Sequence, residues 1–239
     1  MKILTITLHS LQNPGSVLQA YALQSFLINN GYESKIIDYR PTYVSTEGSQ
    51  IKALAKKILY FLLLAGRTKR FDSFIEKHLP LTTIRYASFG ELAANPPKAD
   101  CYITGSDQLW NSSFGCGRDK AFYLGFVKEG YKISYAVSIG KADIPEKELD
   151  WICENAKDFN WISVREESSQ RHLEKRGLSN LAYVCDPVLL IDREKYMELK
   201  VDNKLEKYVA VYLVTKSDLL DELIAELRRK FNYKIVLMG

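Results

Sequence analysis

The stretch YITGSDQLWNSSF, residues 102–114, places Ser106, Asp107, Gln108, Trp110 and Asn111 within the six positions 106–111. A carboxylate there can accept a proton or bind a hydroxyl group. The amides and the serine offer hydrogen-bond donors and acceptors to a polar ligand. Trp110 reads as a flat surface for a ligand or as an anchor in the core. Asp107 likewise reads as a chemical group or as the cap of the following turn.

Three further groups have the same character. Asn13, Pro14, Gly15 and Ser16 lead directly into an apolar helical pattern, so their N–H groups sit where a helix start favours an anion. The plainer reading is a capped helix start, with Pro14 early and Ser16 able to cap. SYAVSIGKAD (134–143) puts Ser138 and Gly140 after a β-type run. WISVREESS (161–169) puts Arg165 after another, followed by Glu166 and Glu167. A guanidinium in that position suits a carboxylate or phosphate, or pairs with a local glutamate. Asp186, in YVCDPVLL, reads as a cap before a ligand group.

The elements that must hold these groups alternate. KILTIT (2–7), SKIIDY (34–39), DCYITG (100–105), KISYAVS (132–138), WISVR (161–165) and LAYVCD (181–186) read as strands. SVLQAYALQSFLINN (16–30) reads as a helix stopped by Gly31. IKALAKKILYFLLLAG and RTKRFDSFIEKHL read as two more, and helical patterns recur near 145–157 and 167–176. This rhythm predicts an α/β fold, a doubly wound, parallel-sheet, Rossmann-like domain over residues 1–190. In such sheets ligands bind outside the carboxyl ends of the strands, where all four groups fall. Residues 191–207 turn charged and read as a linker. A β-α-β pattern over 208–239 then begins a second Rossmann-like domain, which the sequence leaves incomplete because two strands cannot bury both sheet faces.

Composition removes several classes. Of 239 residues, 46% are apolar and 26% charged, as in a globular protein. A net charge of +4 without a basic tail, RNP-like motif or Cys/His finger gives no case for nucleic acid. Cys101, Cys116, Cys153 and Cys185 form no CxxC pair, and Cys101 and Cys185 lie in apolar runs that predict buried thiols. That usage fits a reducing, cytoplasmic compartment. His9, His78 and His172 lie far apart, so no metal site is expected. The longest apolar run, ILYFLLLA (58–65), falls well short of the roughly 20 residues that span a bilayer.

Taken in order, NPGSVLQAYALQSFLINNGY, DCYITGSDQLWN, KISYAVSIG, SVREESS and CDPVLL resemble the polysaccharide pyruvyl transferase family over roughly residues 1–190. The resemblance implies two Rossmann-like domains arranged as in GT-B glycosyltransferases. It implies transfer of the pyruvyl group of phosphoenolpyruvate to a sugar of an exopolysaccharide or cell-wall polymer, forming a pyruvate ketal, with no metal or redox cofactor. Protonation of the methylene carbon would create an oxocarbenium-like centre that sugar hydroxyls attack as phosphate leaves. This needs cations around the donor and an acid–base group near the sugar. On the matching residues, Arg165 is expected to hold phosphoenolpyruvate, and Gly15 and Ser16 to offer N–H groups to the same anion or to the acceptor. Asp107, Gln108 and Asn111, with Trp110, face the sugar. The family's further Arg/His motif belongs to the C-terminal domain, and none of the three histidines corresponds to it.

Two other readings stand beside this one. The same architecture serves glycosyltransferases that use a nucleotide sugar. A non-catalytic saccharide- or protein-binding module would also fit a second domain that is begun but not completed. Finally, Lys52, Lys56, Lys57, Arg67, Lys69 and Arg70 flank the apolar run. They suggest either a core helix with solvated basic ends or a peripheral contact with the inner face of a membrane, where a lipid-linked saccharide acceptor would lie.

Overall fold

In a computed structural model, residues 1–45, 54–201, 207–212, 217–231 and 233–238 are described; of residues 44–65 and 218 only the backbone is considered where it is described. The chain divides into two compact units, Met1–Arg193 and Glu194–Gly239.

The first unit is built on seven parallel strands: β1 (Lys2–Ile6), β2 (Glu33–Tyr39), β3 (Leu81–Tyr86), β4 (Cys101–Thr104), β5 (Tyr131–Val137), β6 (Trp161–Val164) and β7 (Leu181–Tyr183). Their order is β3-β2-β1-β4-β5-β6-β7. The chain winds outward from β1 to one edge, then returns beside β1 and winds to the other. The fold is therefore the expected doubly wound α/β domain, and its direction reverses between β1 and β4. Helices α1 (Pro14–Asn29), α2 (Leu54–His78), α3 (Phe89–Ala94), α4 (Glu146–Ala156) and α5 (Glu167–Lys175) accompany the strands.

Alternation along β1 shows how the sheet is covered. Leu4 and Ile6 enter one core with Ile37, Trp110 and Phe122, while Ile3 packs on the other face with Leu23 and Leu27 of α1. Thr5 and Thr7 share that second face and are matched by two glutamines of α1. Gln24 Nε2 donates to Thr5 Oγ1 at 2.9 Å and Gln19 Nε2 to Thr7 Oγ1 at 2.9 Å. A buried amide is tolerated only when bonded. The polar positions of LQAYALQ are thus fitted to the threonines of β1.

Several expectations change. The two helices read over 51–79 are a single α2, which runs through Gly66; a lone glycine in a helix interior costs only about 1 kcal/mol. Lys52 lies outside the described residues, as do the side chains of Lys56 and Lys57. Strand β3 follows Pro80 at the sheet edge, where three of its six residues are exposed, so its pattern lacks the apolar content that marks an inner strand. Cys101 is buried but Cys185 is exposed, because it lies just past the edge strand β7. Among the described residues no helix is long and apolar enough to cross a membrane.

In the second unit, β8 (Tyr208–Tyr212) and β9 (Lys234–Met238) pair in parallel, joined by helix α7 (Asp218–Lys230). A short helix, α6 (Arg193–Met197), forms within the stretch read as a linker.

Candidate functional site

In sheets of this kind ligands bind at the carboxyl ends of the two strands between which the order reverses, here β1 and β4. Two loops meet there. Asn13 caps α1 by accepting the Gly15 N–H on its side chain at 2.8 Å, and Pro14 brings no N–H of its own. This turns Ser16 inward, and its hydroxyl donates to Asp107 Oδ2 at 2.5 Å. From the β4 side, Asp107 has φ +103°, a region that strains any side-chain-bearing residue. Its backbone is held from both directions. The Asp107 carbonyl accepts the N–H groups of Leu109 (2.8 Å) and Ser138 (2.9 Å), and Trp110 N donates to Ser138 O. Asp107 Oδ1 accepts the Gln108 N–H at 2.8 Å. A strained residue so fully restrained marks a functional position more often than an accidental one.

Strand β5 contributes a second irregularity. Its register against β6 shifts between Ser134 and Val137, and Ala136 has φ +51°. Ser134 and Ser163 fill the break: each hydroxyl donates to the other residue's carbonyl, and Ser163 Oγ also accepts the Ala136 N–H at 3.1 Å. Such a bulge re-aims the strand end. Here it carries Val137 into a bridge with Asp107 and sets Ser138 against Glu166.

The remaining groups close the rim. Ser138 Oγ donates to Glu166 Oε1 at 2.5 Å, and Glu166 Oε2 accepts from Ser169 Oγ and Ile139 N. Arg165 Nη1 donates to Asp186 Oδ2 at 2.8 Å, with its Nε 3.8 Å from Glu166 Oε1. Asp186 also caps the turn at 187–189 through Val188 N and lies 3.3 Å from Ser106 Oγ. One connected path therefore runs from Ser16 through Asp107, Ser106, Asp186, Arg165 and Glu166 to Ser138. It links the ends of β1, β4, β5, β6 and β7.

The predicted residues occupy different depths along this path. Asn13, Gly15 and Gly140 are exposed, and Asp107, Gln108 and Arg165 are partly so. Ser16, Ser106 and Ser138 are buried and hold neighbours in place. Trp110 is fully buried, so the sugar-platform reading gives way to the core anchor. Its indole stacks on Tyr123 with centroids 5.1 Å apart and donates to Phe122 O at 3.0 Å. Asn111 is also buried, and its side chain is bonded internally: its Nδ2 donates to Gln108 Oε1 and its Oδ1 accepts the Ser113 N–H. Gly140, at φ +67°, leaves room for this pair, since a Cβ there would lie 2.8 Å from both Asn111 Nδ2 and Gln108 Oε1.

A sequence model of one protein family, described as polysaccharide pyruvyl transferase, matches residues 13–237. The chain belongs to that family. A search of curated proteins returns no match. Membership supports pyruvyl transfer to polysaccharide in general terms and implies a saccharide acceptor.

Sequence reasoning missed a second polar cluster in this pyruvyl transferase family member. Asp38, at the end of β2, accepts from Arg40 Nε (2.6 Å) and His9 Nε2 (3.1 Å) on Oδ1, and from Arg85 Nε (2.9 Å) on Oδ2. His9 is fully buried, with Nδ1 3.2 Å from Thr7 O. Burial would raise the Asp38 pKa, but the bonds from His9, Arg40 and Arg85 outweigh it and hold the carboxyl well below the usual range. A histidine on β1's loop and arginines just past β2 and on β3 give no common local spacing, so the strand order brings them together. Nearby, Asp119 accepts the phenols of Tyr39 (2.5 Å) and Tyr43 (2.6 Å). Burial and that carboxylate push both phenol pKa values far up. Among the described residues no group of three or more His, Cys, Asp or Glu side chains is disposed to hold a metal ion.

Proposed function

We propose that the protein transfers the pyruvyl group of phosphoenolpyruvate to a sugar of a polysaccharide or cell-wall polymer, forming a pyruvate ketal. The observation that carries this reading is the meeting of the Ser16–Asp107 pair with Arg165, fixed on Asp186, along one rim at the strand-order reversal. Asp107 receives hydrogen bonds on both oxygens yet keeps lone pairs for a sugar hydroxyl, so it serves as the proton acceptor for the attacking oxygen. Arg165 presents the guanidinium face that Asp186 does not cover to the donor's carboxylate or phosphate.

In the reaction the methylene carbon of phosphoenolpyruvate gains a proton, and the first sugar hydroxyl adds to the adjacent carbon and loses one. The carbon–oxygen bond to phosphate then breaks, and the second hydroxyl adds and loses its proton. The products are the ketal and inorganic phosphate.

The test incubates the protein, with any further residues its reading frame supplies, with phosphoenolpyruvate and a saccharide acceptor. Release of phosphate with an acid-labile ketal is expected. In Asp186→Ala, which frees Arg165, kcat/KM for phosphoenolpyruvate should fall about tenfold. Thermal stabilisation by UDP or GDP, without any by phosphoenolpyruvate, would replace this reading with a nucleotide-sugar glycosyltransferase.

A further inference from the structure

The rim is electrically divided at the reversal point. On the β4–β7 side, Asp107, Glu166 and Asp186 share it with one guanidinium, Arg165. On the β1–β3 side the proportion reverses among the described residues: one carboxylate, Asp38, faces Arg40 and Arg85. A third guanidinium, Arg67 of α2, donates to Gln12 O in the loop after β1.

One carboxylate neutralises one guanidinium, so the Arg40–Arg85 pair retains a net positive charge. Asp38 is only 7% exposed and Arg40 26%, so solvent screens the Arg40 charge incompletely, whereas the outer part of Arg85 is open to solvent and to a ligand. Glu91, whose charge reaches Tyr39, is held elsewhere by the Ala87 N–H. Both arginines engage Asp38 through Nε, and their Nη groups have no hydrogen-bond partner among the described residues. Two guanidinium groups braced on one carboxylate, with their outer edges open, suit an anion with several oxygens in more than one plane. A phosphoryl group meets that demand, whereas a planar carboxylate fills a single fork. The backbone favours the same assembly. The β2–β3 register shifts between Ile36 and Asp38, and Thr82 Oγ1 takes up the Asp38 N–H at 3.0 Å.

We infer that Arg40 and Arg85, held by Asp38, which His9 braces in turn, form a phosphoryl-binding subsite separate from the Asp107–Arg165 rim. The group bound is a phosphate or diphosphate, either of a phosphorylated acceptor or of the donor.

Calorimetric titration of the full chain with inorganic diphosphate, and separately with phosphoenolpyruvate, tests this in wild type, Arg40→Gln, Arg85→Gln and Lys147→Gln. Arg85 is 63% exposed, so its replacement should leave the fold intact, as an unchanged Tm would verify. Each arginine variant should bind diphosphate about tenfold more weakly, the scale of one charge-assisted contact. Lys147→Gln, an exposed charge on α4, should bind as wild type. An equal loss for phosphoenolpyruvate assigns the subsite to the donor; unchanged phosphoenolpyruvate affinity assigns it to a phosphorylated acceptor. The inference falls if wild type binds neither anion, if both arginine variants bind as wild type, or if Lys147→Gln loses as much as they do. Loss of phosphate release in Arg165→Gln examines the proposed reaction independently, so that reading survives failure here.

Discussion

Replacing Asp107 with glycine and with alanine separates the backbone role of this residue from its chemistry. At φ +103° a residue with a side chain is strained by about 1–3 kcal/mol, and glycine is not. Both replacements remove the bonds from Ser16 Oγ and Gln108 N. Because Asp107 is partly exposed and water can replace it, that loss is about 2 kcal/mol. Alanine keeps the strain and should lose the full 2 kcal/mol or so. Glycine gains back about 2 kcal/mol of strain and loses about 1 kcal/mol to its greater freedom in the unfolded chain. Asp107→Gly should therefore be about 1 kcal/mol more stable than Asp107→Ala, the reverse of the usual order. In a unit of this size that is a Tm difference of about 2–4 °C, and urea midpoints at constant slope would show it as well. Neither variant should release phosphate from phosphoenolpyruvate. An alanine variant as stable as the glycine one would refute the strain, and turnover by Asp107→Gly would refute the role of the carboxylate.

Two other outcomes are expected. The lowered Asp38 pKa means that its stabilisation is fully present above the unfolded carboxylate value of about 3.9 and is lost as pH falls through that value towards the folded one. Asp38→Asn should thus be less stable at pH 7 by about 3 kcal/mol and show a flatter loss between pH 5 and pH 2 in urea titrations, as rough bounds on that window. Trp110→Phe should retain the fold with a lowered Tm and measurable turnover, while Trp110→Ala should lose about 3–5 kcal/mol; a turnover defect in Trp110→Phe without a Tm change would restore the sugar-platform role.

The sheet was legible because six of its seven strands are apolar runs that alternate with helical patterns. The one missed, β3, lies at an edge and keeps TTIRY half in solvent, so burial left little imprint on its residues. Gly66 looked like a break because glycine weakens a helix, yet a continuous α2 tolerates it. The loops at the strand ends could be located from their sequence, but depth could not. Nothing in GSDQLWN distinguishes Asp107, half open on the rim, from Trp110, stacked on Tyr123 beneath it. That difference belongs to the fold, in which Asp107 takes a positive φ at the strand end and Trp110 packs into the core. The basic cluster on Asp38 was invisible for another reason: its members meet only when β1, β2 and β3 lie side by side.

The connected path from Ser16 to Ser138 has a thermodynamic consequence. Five loops from separate parts of the chain share one set of hydrogen bonds, so none of them is free to sample alternatives on its own. Their ordering entropy is lost when the domain folds rather than when a ligand arrives. Affinity at this rim then depends on the contacts made there, with little subtraction for loop closure. A small saccharide, with few atoms to offer, gains most from such a surface.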